Sequence, residues 1–118
     1  MLDTRGWHVV ADFWGVPDEV INDTRLIKQA AIRAAAFGQM RVLDMVEHKF
    51  YPLGYTLLLL LAESHLSVHT YPEHNYIALD IFTCGSGLAD AACECLSTIL
   101  HPAKTNIVVL RRGDVGGI

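Results

Sequence analysis

Ser64 and His65 stand side by side at the end of an apolar run, and His69, Glu73, His74 and Cys84 follow shortly after them. A hydroxyl beside a potential base is the minimum kit for nucleophilic chemistry. No Gly-x-Ser-x-Gly elbow accompanies the serine, which argues against a common class of hydrolase. Attack on the chain itself is the other option. A serine hydroxyl can reach the carbonyl of the preceding residue, here Glu63, and convert that peptide into an ester. β-Elimination of the ester would split the chain and leave a dehydroalanine, which hydrolyses to a pyruvoyl group. On residue types alone, a Ser and a His near the end of a strand are more often surface hydrogen-bond formers.

His65, His69 and His74 together could suggest zinc. Pro72 and strand-like alternation deny them one helical face, and no Cys/His pairing at finger spacing accompanies them, so no metal is expected. Three cysteines are an odd count, and Cys93 and Cys95 lie too close on one helix to pair easily. They read as packing residues with reduced thiols.

Glu63 to Cys84 needs a scaffold, and 118 residues suffice for one domain whose active site can need a second subunit's walls. The net charge of -4 and the lack of a Lys/Arg cluster argue against a nucleic-acid partner. The longest apolar run falls far short of the roughly 20 residues of a membrane span. MLDTRGWHVV lacks the basic and apolar regions of a signal peptide, and a cytoplasmic location is expected.

The alternation of Trp7 to Trp14, closed by Gly15-Val16-Pro17, predicts a strand. From Asp18, apolar residues recur at three and four through Leu26, Ile27, Ala30, Ala31, Ala34 and Phe37 up to Gly38, which predicts one amphipathic helix. Met40 to Phe50 reads as a strand entering a turn at Pro52-Leu53-Gly54. Tyr55 to Ala62 is so apolar that it predicts a central strand covered on both faces, or a buried helix segment. His65 to Thr70 and Tyr76 to Cys84 alternate again, with Ala78, Asp80, Phe82 and Cys84 sharing a face. Ser86-Gly87 opens a second helix ending at His101-Pro102, Lys104 to Arg111 is a last strand, and Gly113 to Ile118 reads as a loose tail. Runs of neighbouring strands favour an α+β two-layer sandwich, a mostly antiparallel sheet with two helices packed on one face.

The run LAESHLSVHTYPE from Leu61 to Glu73, followed by ALDIFTCG from Ala78 to Gly85, closely resembles the prokaryotic S-adenosylmethionine decarboxylases. Gly6-Trp7-His8 with Ala11-Asp12, and His48-Lys49-Phe50 before Gly54, are similar to the same family. The likeness implies self-cleavage between Glu63 and Ser64, giving a β chain of residues 1 to 63 and an α chain of 64 to 118 that begins with a pyruvoyl group made from Ser64. The keto carbonyl condenses with the substrate's α-amine, and the imine accepts electrons as carbon dioxide leaves, so neither pyridoxal phosphate nor a metal is expected. The implied product is decarboxylated S-adenosylmethionine, used in spermidine and other polyamine synthesis, and the implied assembly is a homodimer of processed αβ units.

Residue by residue, the resemblance implies that His69 assists processing, that Thr56 stands where a serine usually helps the ester intermediate, and that Cys84 donates the proton in decarboxylation. It places Phe50 against adenine and Glu73 on the ribose. Thr56 in place of serine, Tyr71 where tryptophan is frequent and Asn75 where glycine is frequent depart from the pattern. Each residue has a plainer reading: Cys84 and Phe50 as core, His69 as a structural histidine, Glu73 as a solvated charge. The rival functions are an arginine or ornithine decarboxylase derived from the same family, and an unprocessed binding protein with no activity.

Overall fold

The computed structural model describes residues 4–85 and 87–114. The elements run β1 (Gly6–Trp14), α1 (Asp18–Ile21), α2 (Thr24–Phe37), β2 (Val42–Lys49), β3 (Tyr55–Leu61), β4 (Ser64–Tyr71), a 3₁₀ turn (Pro72–His74), β5 (Tyr76–Cys84), α3 (Ala89–Leu100) and β6 (Lys104–Arg112). The six strands form one sheet in the order β2-β3-β4-β5-β1-β6. Every neighbouring pair is antiparallel. Ser86, expected to open the second helix, and the end of the expected tail lie outside the described residues.

The sheet is antiparallel because consecutive strands β2 to β5 are joined by connections too short for a crossover. Alternation then assigns faces. Val9, Ala11 and Phe13 of β1, Leu57 and Leu59 of β3, Leu66 and Val68 of β4, and Ile77 and Ile81 of β5 are buried on the helical side. Against them lie Ile27 and the small buried residues Ala30, Ala31, Ala34 and Ala35 of α2, with Ala92, Leu96 and Leu100 of α3. The two long helices meet at Gly38, where a Cβ would stand 2.7 Å from the Leu88 carbonyl oxygen and 3.2 Å from the Ala92 Cβ. Glu47 ties β2 to this layer, accepting from Lys28 at 2.8 Å and from the Tyr55 hydroxyl at 2.7 Å. Those hydrogen bonds, Lys28's first, hold the Glu47 carboxyl below its usual range.

Two expectations are corrected. The helix expected from Asp18 is two helices, because the Asp23 side chain accepts from the Leu26 N–H at 3.0 Å and starts α2 afresh. β3 is covered on one face only: Leu57 and Leu59 are buried while Leu58 and Leu60 are 44% and 54% exposed. The described chain supplies no second layer, so the whole face carrying Leu58 and Leu60, with Val10, Trp14 and Val46 beside them, is open. No helix among the described residues is long and apolar enough to cross a membrane.

Leu59→Ala should cost about 2 to 5 kcal/mol, the range for truncating a sealed core leucine. Urea unfolding at fixed protein concentration reads it as a lower midpoint with an unchanged slope; a loss below about 1 kcal/mol would mean that the helices do not seal this face.

Candidate active site

The hairpin joining β3 and β4 turns on two residues, Ala62 and Glu63, with Leu61 paired to Ser64. Two-residue hairpins favour turns with positive φ, yet neither loop residue is among those with positive φ. Ser64 is, at φ 158°, a value L-residues rarely adopt and one that costs of order 1 to 3 kcal/mol. The tip is clamped on both sides. Ala62 N–H donates to the Arg41 carbonyl at 2.9 Å, and Arg41 N–H donates to Glu63 Oε1 at 3.1 Å. On the other side, Cys84 N–H donates to the Glu63 carbonyl oxygen at 3.0 Å. A donor thus sits on the carbonyl oxygen beside Ser64, where negative charge would develop if a hydroxyl added to that carbon.

Cys84 closes β5 on the open face and is half-buried, so it is no core thiol. Cys93, by contrast, is a core thiol, and burial pushes it up to about 11.

Thr56 and His69 face each other across β3 and β4, with Thr56 Oγ1 hydrogen-bonded to His69 Nδ1 at 3.1 Å. Phe50 follows β2 beyond this pair, exposed, its ring meeting His48 edge-on at 4.6 Å. Glu73 lies in the 3₁₀ turn and is exposed. Ser64 and His69 are five residues apart on one straight strand, about 17 Å at the usual rise. The sequence-predicted residues therefore fall into two groups: Glu63, Ser64 and Cys84 at one end of the sheet, and Thr56, His69, Phe50 and Glu73 towards the other. A concavity of about 690 Å³ along α2 and one of about 490 Å³ beside the start of α3 contain none of these residues.

Between the groups lies a network that sequence reasoning missed. Asp80 Oδ2 accepts from His8 Nε2 at 2.7 Å and from His65 Nε2 at 2.9 Å, and Ser67 donates to Asp80 Oδ1. Burial works to raise the Asp80 carboxyl, but these hydrogen bonds from Ser67, His65 and His8 outweigh it and hold the group below its usual range. His8, His65 and Asp80 are also the one cluster among the described residues that could hold a metal ion. Arg112 donates to His8 Nδ1 at 3.3 Å, which leaves the His8 proton on Nε2, the nitrogen a metal would need. The cluster is a satisfied hydrogen-bond network in this tautomer. A charged residue on the face of β5 that also carries Cys84 was the available signal; His8, seventy-two positions away, was not readable from it.

Residues 7–113 match the family model described as S-adenosylmethionine decarboxylase. A Bacillus cereus protein named S-adenosylmethionine decarboxylase proenzyme 2 is 39% identical over 111 residues, covering 93% of this chain and 90% of the relative. A Brevibacillus brevis S-adenosylmethionine decarboxylase proenzyme is 43% identical over 111 residues, 93% of this chain and 84% of the relative. The crystal structure of the adenosylmethionine decarboxylase from Aquifex aeolicus superposes with a TM-score of 0.86 at 34% identity, covering 94% of this chain and 92% of that one.

A carboxyl held below its unfolded value stabilises the fold fully above about pH 3.9 and loses that contribution as pH falls through its native value. Asp80→Asn should therefore melt lower than the unaltered chain near neutral pH, and the gap should close below about pH 3.9. Thermal midpoints across that range test it, and a gap independent of pH would count against the ionised network.

Proposed function

Because the chain belongs to the S-adenosylmethionine decarboxylase family, we propose that it is a self-processing, pyruvoyl-dependent carboxy-lyase acting on S-adenosylmethionine. The observation that carries the self-processing is the hairpin tip, where Cys84 N–H polarises the Glu63 carbonyl and Ser64 has a strained backbone. Ser64 Oγ attacks the Glu63 carbonyl carbon, the bond from that carbon to the Ser64 nitrogen breaks, and the hydroxyl proton ends on the freed amine. Loss of the Ser64 Cα proton expels the Glu63 carboxylate and leaves dehydroalanine. Tautomerisation and addition of water then release ammonia and leave the pyruvoyl group. The single domain becomes chains of residues 1–63 and 64–118, and cleavage relieves the strain at Ser64.

His69, oriented by Thr56, is the acid or base for processing, yet in its own chain it lies about 17 Å from Ser64. The open apolar face supplies the answer. Two copies stack these faces about a two-fold axis, one reversed end for end, so that Glu63, Ser64 and Cys84 of one meet Thr56, His69, Phe50 and Glu73 of the other. Isologous pairing places two equivalent sites at the interface and buries Leu58, Leu60, Val46 and Val10. When formed, the pyruvoyl group supplies the electron sink that lets carbon dioxide leave. Cys84 returns a proton to the substrate's α-carbon. Phe50 stacks on the adenine and Glu73 holds the ribose, which favours S-adenosylmethionine over arginine or ornithine. The product would serve polyamine synthesis, with the enzyme in the cytoplasm.

Mixed chains test the assembly. Ser64→Ala alone should remain whole and His69→Ala alone should cleave about 10²- to 10⁴-fold slowly. Co-expressed, the two variants should cleave the His69→Ala chain, because its Ser64 meets an intact His69 in the partner. Denaturing mass spectrometry reads both chains. No gain over His69→Ala alone would refute the shared site, and cleavage of the Ser64→Ala chain would refute the scissile bond.

Cys84→Ala should cleave nearly as the unaltered chain does, since processing uses its backbone N–H, yet release carbon dioxide about 10²- to 10⁴-fold more slowly. Chains whose first residue becomes alanine should accumulate with turnover. Unchanged release from carboxyl-labelled S-adenosylmethionine would remove the thiol from the chemistry.

A further inference from the structure

Arg112, Gly6 and Cys84 form one row across β6, β1 and β5 on the open face, paired as Gly6 with Arg112 and Gly6 with Cys84. Two strand spacings put the outer two residues about 10 Å apart. The middle of the row has no side chain, and none can be added without a shift, since a Cβ on Gly6 would stand 2.4 Å from the Thr83 carbonyl oxygen. The row therefore carries two side chains, the Cys84 thiol on one outer strand and Arg112 on the other, with Gly6 buried between them. His8 and Phe82 form the next row.

The Arg112 side chain is held across that next row. Its guanidinium carbon lies 4.7 Å over the Phe82 ring, and one nitrogen donates to His8 Nδ1 at 3.3 Å. His8 passes the restraint on to Asp80. Among the described residues no carboxylate pairs with Arg112. A guanidinium has five N–H donors in a planar fork that matches a carboxylate. Among the described residues, His8 takes one of those donors.

We propose that Arg112 binds the α-carboxylate of the amino-acid substrate. The assignment rests on the reading of Ser64 and Cys84 given above. If Cys84 delivers a proton to the α-carbon, the carboxylate attached to that carbon lies within a bond length or two of it, on the face where the Arg112 guanidinium covers Phe82, two residues before Cys84 on β5. S-adenosylmethionine carries cationic amine and sulfonium groups, so its carboxylate is the group that complements an arginine. The carboxylate is absent from the product, which makes the contact one that holds substrate and releases product.

Arg112→Ala and Arg112→Lys, both on an exposed edge strand, are expressed and allowed to cleave; recovery of the 1–63 and 64–118 fragments shows that each has folded. KM for S-adenosylmethionine should rise about 10- to 100-fold in Arg112→Ala, as for a lost charge-assisted hydrogen bond, and by less in Arg112→Lys. Inhibition by decarboxylated S-adenosylmethionine, which lacks the carboxylate, should be unchanged. Equal weakening of substrate and decarboxylated product, or no weakening of either, would overturn the role of Arg112 alone, the unaltered enzyme still cleaving and releasing carbon dioxide. An unaltered chain that does neither would overturn the reading of the site, and this assignment with it.

Discussion

Period-two alternation on a sheet with helices on one side only is the constraint from which the other features follow. The four inner strands, β3, β4, β5 and β1, each send about half their side chains to the helical core and the rest to a face that the described chain leaves uncovered. The edge strands β2 and β6 are largely exposed on both faces. The covered half accounts for folding, since Leu57, Leu59, Leu66, Ile77 and Ile81 seal against two helices. The open half holds Cys84, His69, Thr56 and the Asp80 network, together with apolar residues too numerous to leave in water. One geometric rule thereby separates stability from chemistry, side chain by side chain.

The hairpin tip concentrates the second physical theme, which is strain held in place by hydrogen bonds. Arg41, just before β2, pins Glu63 and Ala62, and Cys84 pins the Glu63 carbonyl from β5. With both flanks fixed, the twist mismatch of a two-residue turn falls on Ser64. Cys84 therefore has two separable contributions, a backbone N–H at the carbonyl and a thiol on the open face.

Electrostatics on the open face are arranged as a chain rather than as isolated pairs. Arg112 fixes the tautomer of His8, His8 and His65 converge on one oxygen of Asp80, and Ser67 takes the other. Each link orients the next, so a charge at the sheet edge is coupled to the strand bearing Cys84 without direct ion pairing.

The sequence by itself determined the element types, because alternation and three-four spacing are local patterns, and it determined the likeness of Leu61–Glu73 and Ala78–Gly85, because the motif is contiguous. It also put Asp80, Phe82 and Cys84 on one face of one strand. It misjudged β3, since an all-leucine run reads the same whether the second cover comes from its own chain or from elsewhere. Only the tertiary structure decided which residues share a place. His8 reaches Asp80 because β1 inserts between β5 and β6, a choice made by long-range pairing and invisible in local pattern. Ser64 and His69 look like neighbours in the sequence, but an extended strand carries them about 17 Å apart, and that rise per residue divides the candidate site in two.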